Sequence, residues 1–162
     1  MGCPFAVSGD NSGALRAVRF QKDNKERPSK MRAQGPEIGD KMPDGTIFAG
    51  ISPDTGKPMY ATPEDAPLRM EWQKAMNYAA SLDAHGHEDW RLPSRAELNV
   101  LFNNQAAIGG FKTLEAGRRT SLYWSSTERG TQDAWFRCFG GRLRPASYIK
   151  YMMINVRCIR TG

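Results

Sequence analysis

The stretch EDWRLPSRAEL, residues 88–98, decides how this chain is read. Ser94-Arg95-Ala96-Glu97 has the S-x-x-E form of a capping box. The Ser94 hydroxyl can accept from the Glu97 backbone N–H, while the Glu97 carboxylate reaches back to the Ser94 N–H. A helix therefore starts at Arg95, with Pro93 and Leu98 at the two positions of a hydrophobic staple. Leu98, Leu101 and Phe102 supply its buried face. Trp90 and Leu92 stand two apart in an extended segment and share one face, directed inward. Arg91 points the other way unless a buried carboxylate claims it. Every residue in the stretch has a structural task, so the motif reads as a fastener.

Working outward, the chain before Thr46 and the chain after it differ in character. Residues 1–45 read as an N-terminal extension: FAVSGDNSGALRAVRF suits a short hairpin around a turn-rich centre, and the breaker-rich segment that follows suits a linker or an arm. Residues 46–162 read as one domain. TIFAGIS and KPMYAT are strand candidates around the turn PDTG. Leu68, Trp72, Ala75, Met76, Ala79 and Leu82 follow helical spacing, with Gly86 placed to end the helix. After the second helix, LYWSST, DAWFRCF and MINVRCIR are further strand candidates.

The 162 residues are 40% hydrophobic and 25% charged, enough to bury a core. No apolar run approaches the length of a membrane span. MGCPFAVSGDNSG lacks a basic region followed by an apolar one, so synthesis in the cytoplasm is expected, with a virion or other particle surface as the place of action. The three cysteines, Cys3, Cys138 and Cys158, are too few for a disulfide scaffold, and no C-x-x-C pair suggests zinc. Cys138 and Cys158 lie in strand-like runs; two buried thiols are the plain reading, and whether they are bonded is left open.

The net charge of +6 is uneven: +2 over residues 1–45, −3 over 46–115 and +7 over 116–162. The basic character belongs to the last third. There Arg137, Arg142, Arg144 and Lys150 accompany Tyr148 and Tyr151, and GGRLRPASY reads as an exposed loop. Guanidinium forks take carboxylate, sulfate or phosphate in two-point contacts, and tyrosines stack on sugars. These six residues form the candidate ligand-binding set. Trp124 and Trp135 sit in strand-like runs and read as core.

DWRLPSRAEL, preceded by the Trp72-to-Ala75 helix and followed in order by YWSST, AWF and VRCIR, resembles the Lcl C-terminal domain family, named for the C-terminal region of a collagen-like adhesin. The resemblance implies an α+β domain of C-type lectin-like fold, with two helices and a twisted antiparallel sheet. It also implies surface, adhesin-like or phage-associated modules. In that frame Trp72, Trp90, Arg91, Pro93, Ser94, Glu97, Trp124, Trp135 and Arg157 are structural, with Arg157 and Arg160 pairing to carboxylates from the closing strand.

Catalytic alternatives are thin. HGHED, residues 85–89, holds the only two histidines and suits a solvated loop better than a metal site. The last third has only Glu128 and Asp133, too few for paired glycosidase carboxylates or for a calcium cage. No phosphate loop is present, and no nucleic-acid motif accompanies the basic patch. The expectation is a non-enzymatic recognition module without a cofactor. Its partner would be an anionic glycan or an acidic protein surface, with no membrane span and no nucleic acid. The alternative is a structural or decoration protein of a phage or other particle, assembled through residues 1–45.

Overall fold

In a computed structural model of the chain, the structure describes residues 35–113, 121–141 and 144–162. Pro36–Gly162 form one compact unit. The hairpin expected near the N-terminus lies outside the described residues. Residues 37–45, which the sequence assigns to the arm, are stitched to the first strand of this unit: Gly39 N–H donates to the Phe48 carbonyl at 2.8 Å, and Met42 N–H to that of Thr46 at 2.8 Å.

The architecture is α+β, with few helices and two small antiparallel sheets. β1 (Ile47–Ile51) and β2 (Pro58–Ala61) form a hairpin. Its register shifts between Phe48 and Gly50, where Gly50 takes φ 109, a bulge that a side chain would strain. α1 (Trp72–Ala80) buries Trp72, Ala75 and Ala79 along one stripe. α2 (Arg95–Asn103) is followed by the short α3 (Gln105–Ile108). β3 (Leu122–Glu128), β4 (Asp133–Cys138) and β5 (Ala146–Ile149) make the second sheet in chain order, and β6 (Ile159–Thr161) returns to pair with β2. The single twisted sheet implied by the resemblance is thus two three-stranded sheets, and α3 makes a third helix.

α1 and α2 pack on opposite faces of the second sheet. On the α1 side, Trp72, Ala75 and Ala79 meet Trp124, Ala134, Phe136 and Cys138, together with Trp90, Leu92, Val156 and Cys158. On the α2 side, Leu98 and Leu101 meet Tyr123, Phe139, Met59 and Ile159. The indole N–H groups of the three buried tryptophans are all satisfied: Trp72 donates to the Ser125 carbonyl at 2.8 Å, Trp90 to Ala84 at 3.0 Å and Trp124 to Met70 at 3.0 Å. Burial of such rings without a partner for the N–H would forfeit much of their apolar gain.

Three sequence expectations change. Leu68 is 72% exposed and lies before α1, because the chain from Ala66 to Met70 runs extended: Ala66 N–H donates to Val156 and Met70 N–H to Ile154. Gly86 does not cap α1, which ends at Ala80 with Ser81 as its cap. His85 (φ 58) and Gly86 (φ 75) instead form the two central residues of a tight turn closed by Ala84 and His87. Of MINVRCIR only the end is strand. Residues 154–158 cross between the sheets, held by single bridges from Ile154 to Met70 and from Asn155 to Tyr123.

Candidate functional site

The capping box forms as the sequence dictates. Ser94 Oγ accepts from Glu97 N–H at 3.1 Å, and Glu97 Oε2 accepts from Ser94 N–H at 2.9 Å. Ser94 also donates to Asp54. Glu97 does more than cap: it is wholly buried, receives the Arg91 guanidinium in two bonds and accepts from the Ser52 hydroxyl at 2.6 Å. Burial alone would raise the Glu97 carboxyl, but the bonds from Arg91, Ser52 and Ser94 outweigh it and hold it below the usual range. The Ser52 contact spans the first hairpin and α2, a link invisible to local pattern.

A second buried charge sits behind Tyr123. Arg157 is 1% exposed and donates to the carbonyls of Thr62 at 2.6 Å and Gly109 at 3.0 Å. Its Nε lies 2.9 Å from Asp65 Oδ1, close enough for an ion pair though not aligned as a hydrogen bond. Tyr123 donates to the other Asp65 oxygen at 2.5 Å. Phe111 lies under the guanidinium at 4.1 Å. This network ties the 62–65 segment, β3 and the crossing strand together. Arg160 reaches Asp89 at 2.8 Å on the surface.

The described residues of the candidate ligand-binding set lie on different faces. Arg137 faces α2, stacked 3.8 Å over Phe102 and bonded to Asn99 at 2.8 Å. Tyr148 lies on the opposite face of the sheet, its ring 5.8 Å from that of Phe136. The segment read as a loop is in part β5, whose Ser147 and Tyr148 pair with Trp135 and Ala134. Arg144 is exposed, and Arg142 lies outside the described residues. Only Lys150 and Tyr151 share a depression, and the Lys150 ammonium is already bound to Glu128 at 2.7 Å.

A different cationic site emerges around Trp135. Alternation along β4 buries Ala134, Phe136 and Cys138 and turns Asp133, Trp135 and Arg137 to the α2 side. Trp135 lies beyond the end of the helix and keeps part of its surface open, so it is not the core tryptophan expected from the sequence. The Arg95 guanidinium, from the first turn of α2, rests 3.6 Å over its ring, and that of Arg129, from the β3–β4 turn, lies 5.4 Å from the ring centre. Arg129 also bonds the Ser147 hydroxyl at 2.9 Å. Neither guanidinium has a carboxylate at ion-pair distance among the described residues. Beside them Asp54, Ser94, Asn99 and Thr127 line a shallow depression of about 400 Å³. The period-2 pattern of DAWFRC carried this signal, since Trp135 shares the parity of two charged residues.

The histidines are engaged in structure. His87 Nε2 lies 2.8 Å from Asp44 Oδ2, and His85 Nδ1 lies 3.1 Å from the Asp44 carbonyl. Among the described residues, no three His, Cys, Asp or Glu side chains are grouped to hold a metal ion, and no helix is long and apolar enough to cross a membrane. Cys138 and Cys158 are both buried and unbonded.

No curated protein matches the chain. The order of the pieces carries the assignment: the Trp72 helix, the Arg91–Glu97 fastener, the Trp124–Trp135 hairpin and the buried Arg157 follow one another through a single α+β unit. Over residues 52–160, about two-thirds of its length, the chain matches the Lcl C-terminal domain, and it belongs to that family.

Proposed function

We propose that this domain is a non-enzymatic recognition module for an anionic glycan, and that Arg95, Trp135 and Arg129 form its contact surface. The observation that carries this reading is the pair of guanidiniums framing a partly open indole, neither of them paired to a carboxylate, with Asp54 in the adjoining depression held by Ser94. Membership in the Lcl C-terminal domain family supports a binding or adhesion role, and it and the α+β build support a lectin-like fold. Guanidiniums held against a ring lose little freedom on meeting a sulfate or carboxylate, and the ring edge offers the sugar an apolar contact. An acidic protein surface would be met by the same chemistry.

The test is binding of the full chain to immobilised sulfated, carboxylated and neutral glycans at physiological salt. We expect selective retention on an anionic glycan, reduced at least tenfold in Arg95→Ala/Arg129→Ala and unchanged in Lys57→Ala. Equal retention of the double variant would remove this surface from consideration. Attachment to a phage or other particle through the N-terminal segment belongs to the same proposal, and removal of residues 1–34 tests it: glycan binding should persist while incorporation into the particle is lost.

A further inference from the structure

A second depression lies on another part of the domain. It holds about 250 Å³ and is lined by Glu71, Gln73, Thr131, Gln132, Lys150 and Tyr151. Three elements meet there: the start of α1, the β3–β4 turn and the chain leaving β5. Backbone hydrogen bonds stitch them, from Trp72 N–H to the Lys150 carbonyl at 2.9 Å and from Lys150 N–H to the Gln132 carbonyl at 2.9 Å. The walls are thus fixed before anything binds.

The chemistry of the lining does not favour an anion. The Lys150 ammonium is bound to Glu128 at 2.7 Å and to the Thr131 carbonyl at 3.1 Å, and it rests 4.6 Å from the centre of the Trp72 ring. Its charge is matched within the protein and its stem serves as floor. The rest of the lining brings one carboxylate (Glu71, 3.8 Å from the Lys74 ammonium), two primary amides (Gln132, and Gln73, whose Nε2 donates to Asn77 at 3.2 Å) and a hydroxyl (Thr131). Together they offer donors and acceptors in a small space. At the rim Tyr151 is 71% exposed, flanked by Ile149 at 48% and Met153 at 51%. Of these, Tyr151 lines the pocket and offers its ring to an apolar face.

Vicinal hydroxyls on one side and a C–H face on the other describe a pyranose ring. Pockets for drug-sized ligands run from about 300 to 1,000 Å³, so this one suits a single small ring. We infer that the pocket between the start of α1, the β3–β4 turn and Tyr151 binds a neutral sugar residue. The amides and Glu71 take its hydroxyls, and the Tyr151 ring packs on its apolar face. The pocket shares the β3–β4 turn with Arg129, but none of its lining residues belongs to the Arg95–Trp135–Arg129 surface.

Saturation-transfer NMR of the full chain, in high salt, against the methyl glycosides of glucose, galactose, mannose, fucose and N-acetylglucosamine tests this. At least one glycoside should receive saturation. The signal should fall to background in Tyr151→Ala, weaken at least fivefold in Gln132→Ala, and persist in Arg95→Ala/Arg129→Ala. Absence of transfer to all five sugars overturns the proposal. Transfer that survives both pocket variants overturns it equally. The variants change exposed side chains, and an unchanged amide spectrum outside the pocket confirms that they fold. Failure here with intact polyanion binding leaves the other surface standing, so the two readings fail separately.

Discussion

Arg91 grips Glu97 at two points, Nη1 2.6 Å from Oε2 and Nη2 2.7 Å from Oε1, across the break between an extended segment and the helix it introduces. The glutamate side chain is wholly buried, whereas the arginine side chain is 38% exposed. The two ends of the pair are therefore unequal. Removing the arginine strands a buried carboxylate, while removing the carboxylate leaves a guanidinium that water can reach.

Arg91→Ala should cost about 2–3 kcal/mol, below the roughly 3–5 kcal/mol for a fully buried pair because Arg91 keeps part of its hydration. Glu97→Gln should cost less, since its single amide oxygen can still accept from the Ser94 N–H while the Ser52 hydroxyl turns to accept from the amide N–H. Urea denaturation of both variants checks the order. A larger loss for Glu97→Gln would mean that the charge on Glu97 matters more for the cap than for the pair.

Gly86 and Gly110 have nearly the same backbone, φ 75 and φ 71, in different surroundings. A Cβ at Gly86 meets nothing within 4 Å, whereas one at Gly110 would stand 2.5 Å from the Pro63 carbonyl oxygen and 3.0 Å from Arg157 Nη2. Gly86→Ala should lose about 1 kcal/mol, the cost of left-handed backbone alone. Gly110→Ala should lose at least about 2 kcal/mol more, because the clash falls on backbone and on the buried arginine. Thermal unfolding of the two variants separates the effects.

Acid should weaken the domain in part through Asp44. Burial pushes its carboxyl up, but hydrogen bonds from Thr46 and His87, with the nearby His87 charge, outweigh that and bring it down to about 2. A carboxyl that is lower in the folded state than in the unfolded one adds stability above its unfolded value near 3.8. That contribution is lost as pH falls toward about 2. Asp44→Asn should therefore be less stable than the parent at pH 5, with the gap closing between pH 4 and 2. Melting temperatures across that range read it directly.

The two buried thiols should be chemically silent. Burial pushes the Cys158 thiol up to about 12, against the lowering effect of Arg157, so the reactive thiolate is scarce at neutral pH. In a Cys3→Ser background, a thiol-specific chromogenic reagent should find nothing in the folded protein. It should then titrate both remaining cysteines in urea. Prompt reaction under native conditions would show that the core opens on that timescale.

Local rules carried the sequence reading where partners are close along the chain. Ser94 and Glu97 sit three apart, and their capping geometry could be written down without a structure. The Glu97–Ser52 bond joins residues far apart, and no periodicity announces it. Leu68 fell into the helical pattern because it stands four before Trp72, yet extended pairing of Met70 with Ile154 outcompeted another turn of α1. For the candidate sites, composition pointed to arginines and tyrosines but not to their faces. β4 sends Arg137 and β5 sends Tyr148 to opposite sides, while Arg95, outside the basic last third, meets Arg129 at Trp135.

The return of β6 to β2 has a consequence for how the domain is made. As the ribosome releases the chain, β1 and β2 emerge early and wait with one edge of β2 unpaired. The strand that covers that edge, and the Arg157 that neutralises Asp65, follow every other described element in chain order. The first sheet cannot close until the chain through Thr161 has emerged. A nascent chain stalled before Ile159 should therefore present an open β2 edge, a natural landing place for a chaperone or for the same edge of a neighbouring chain.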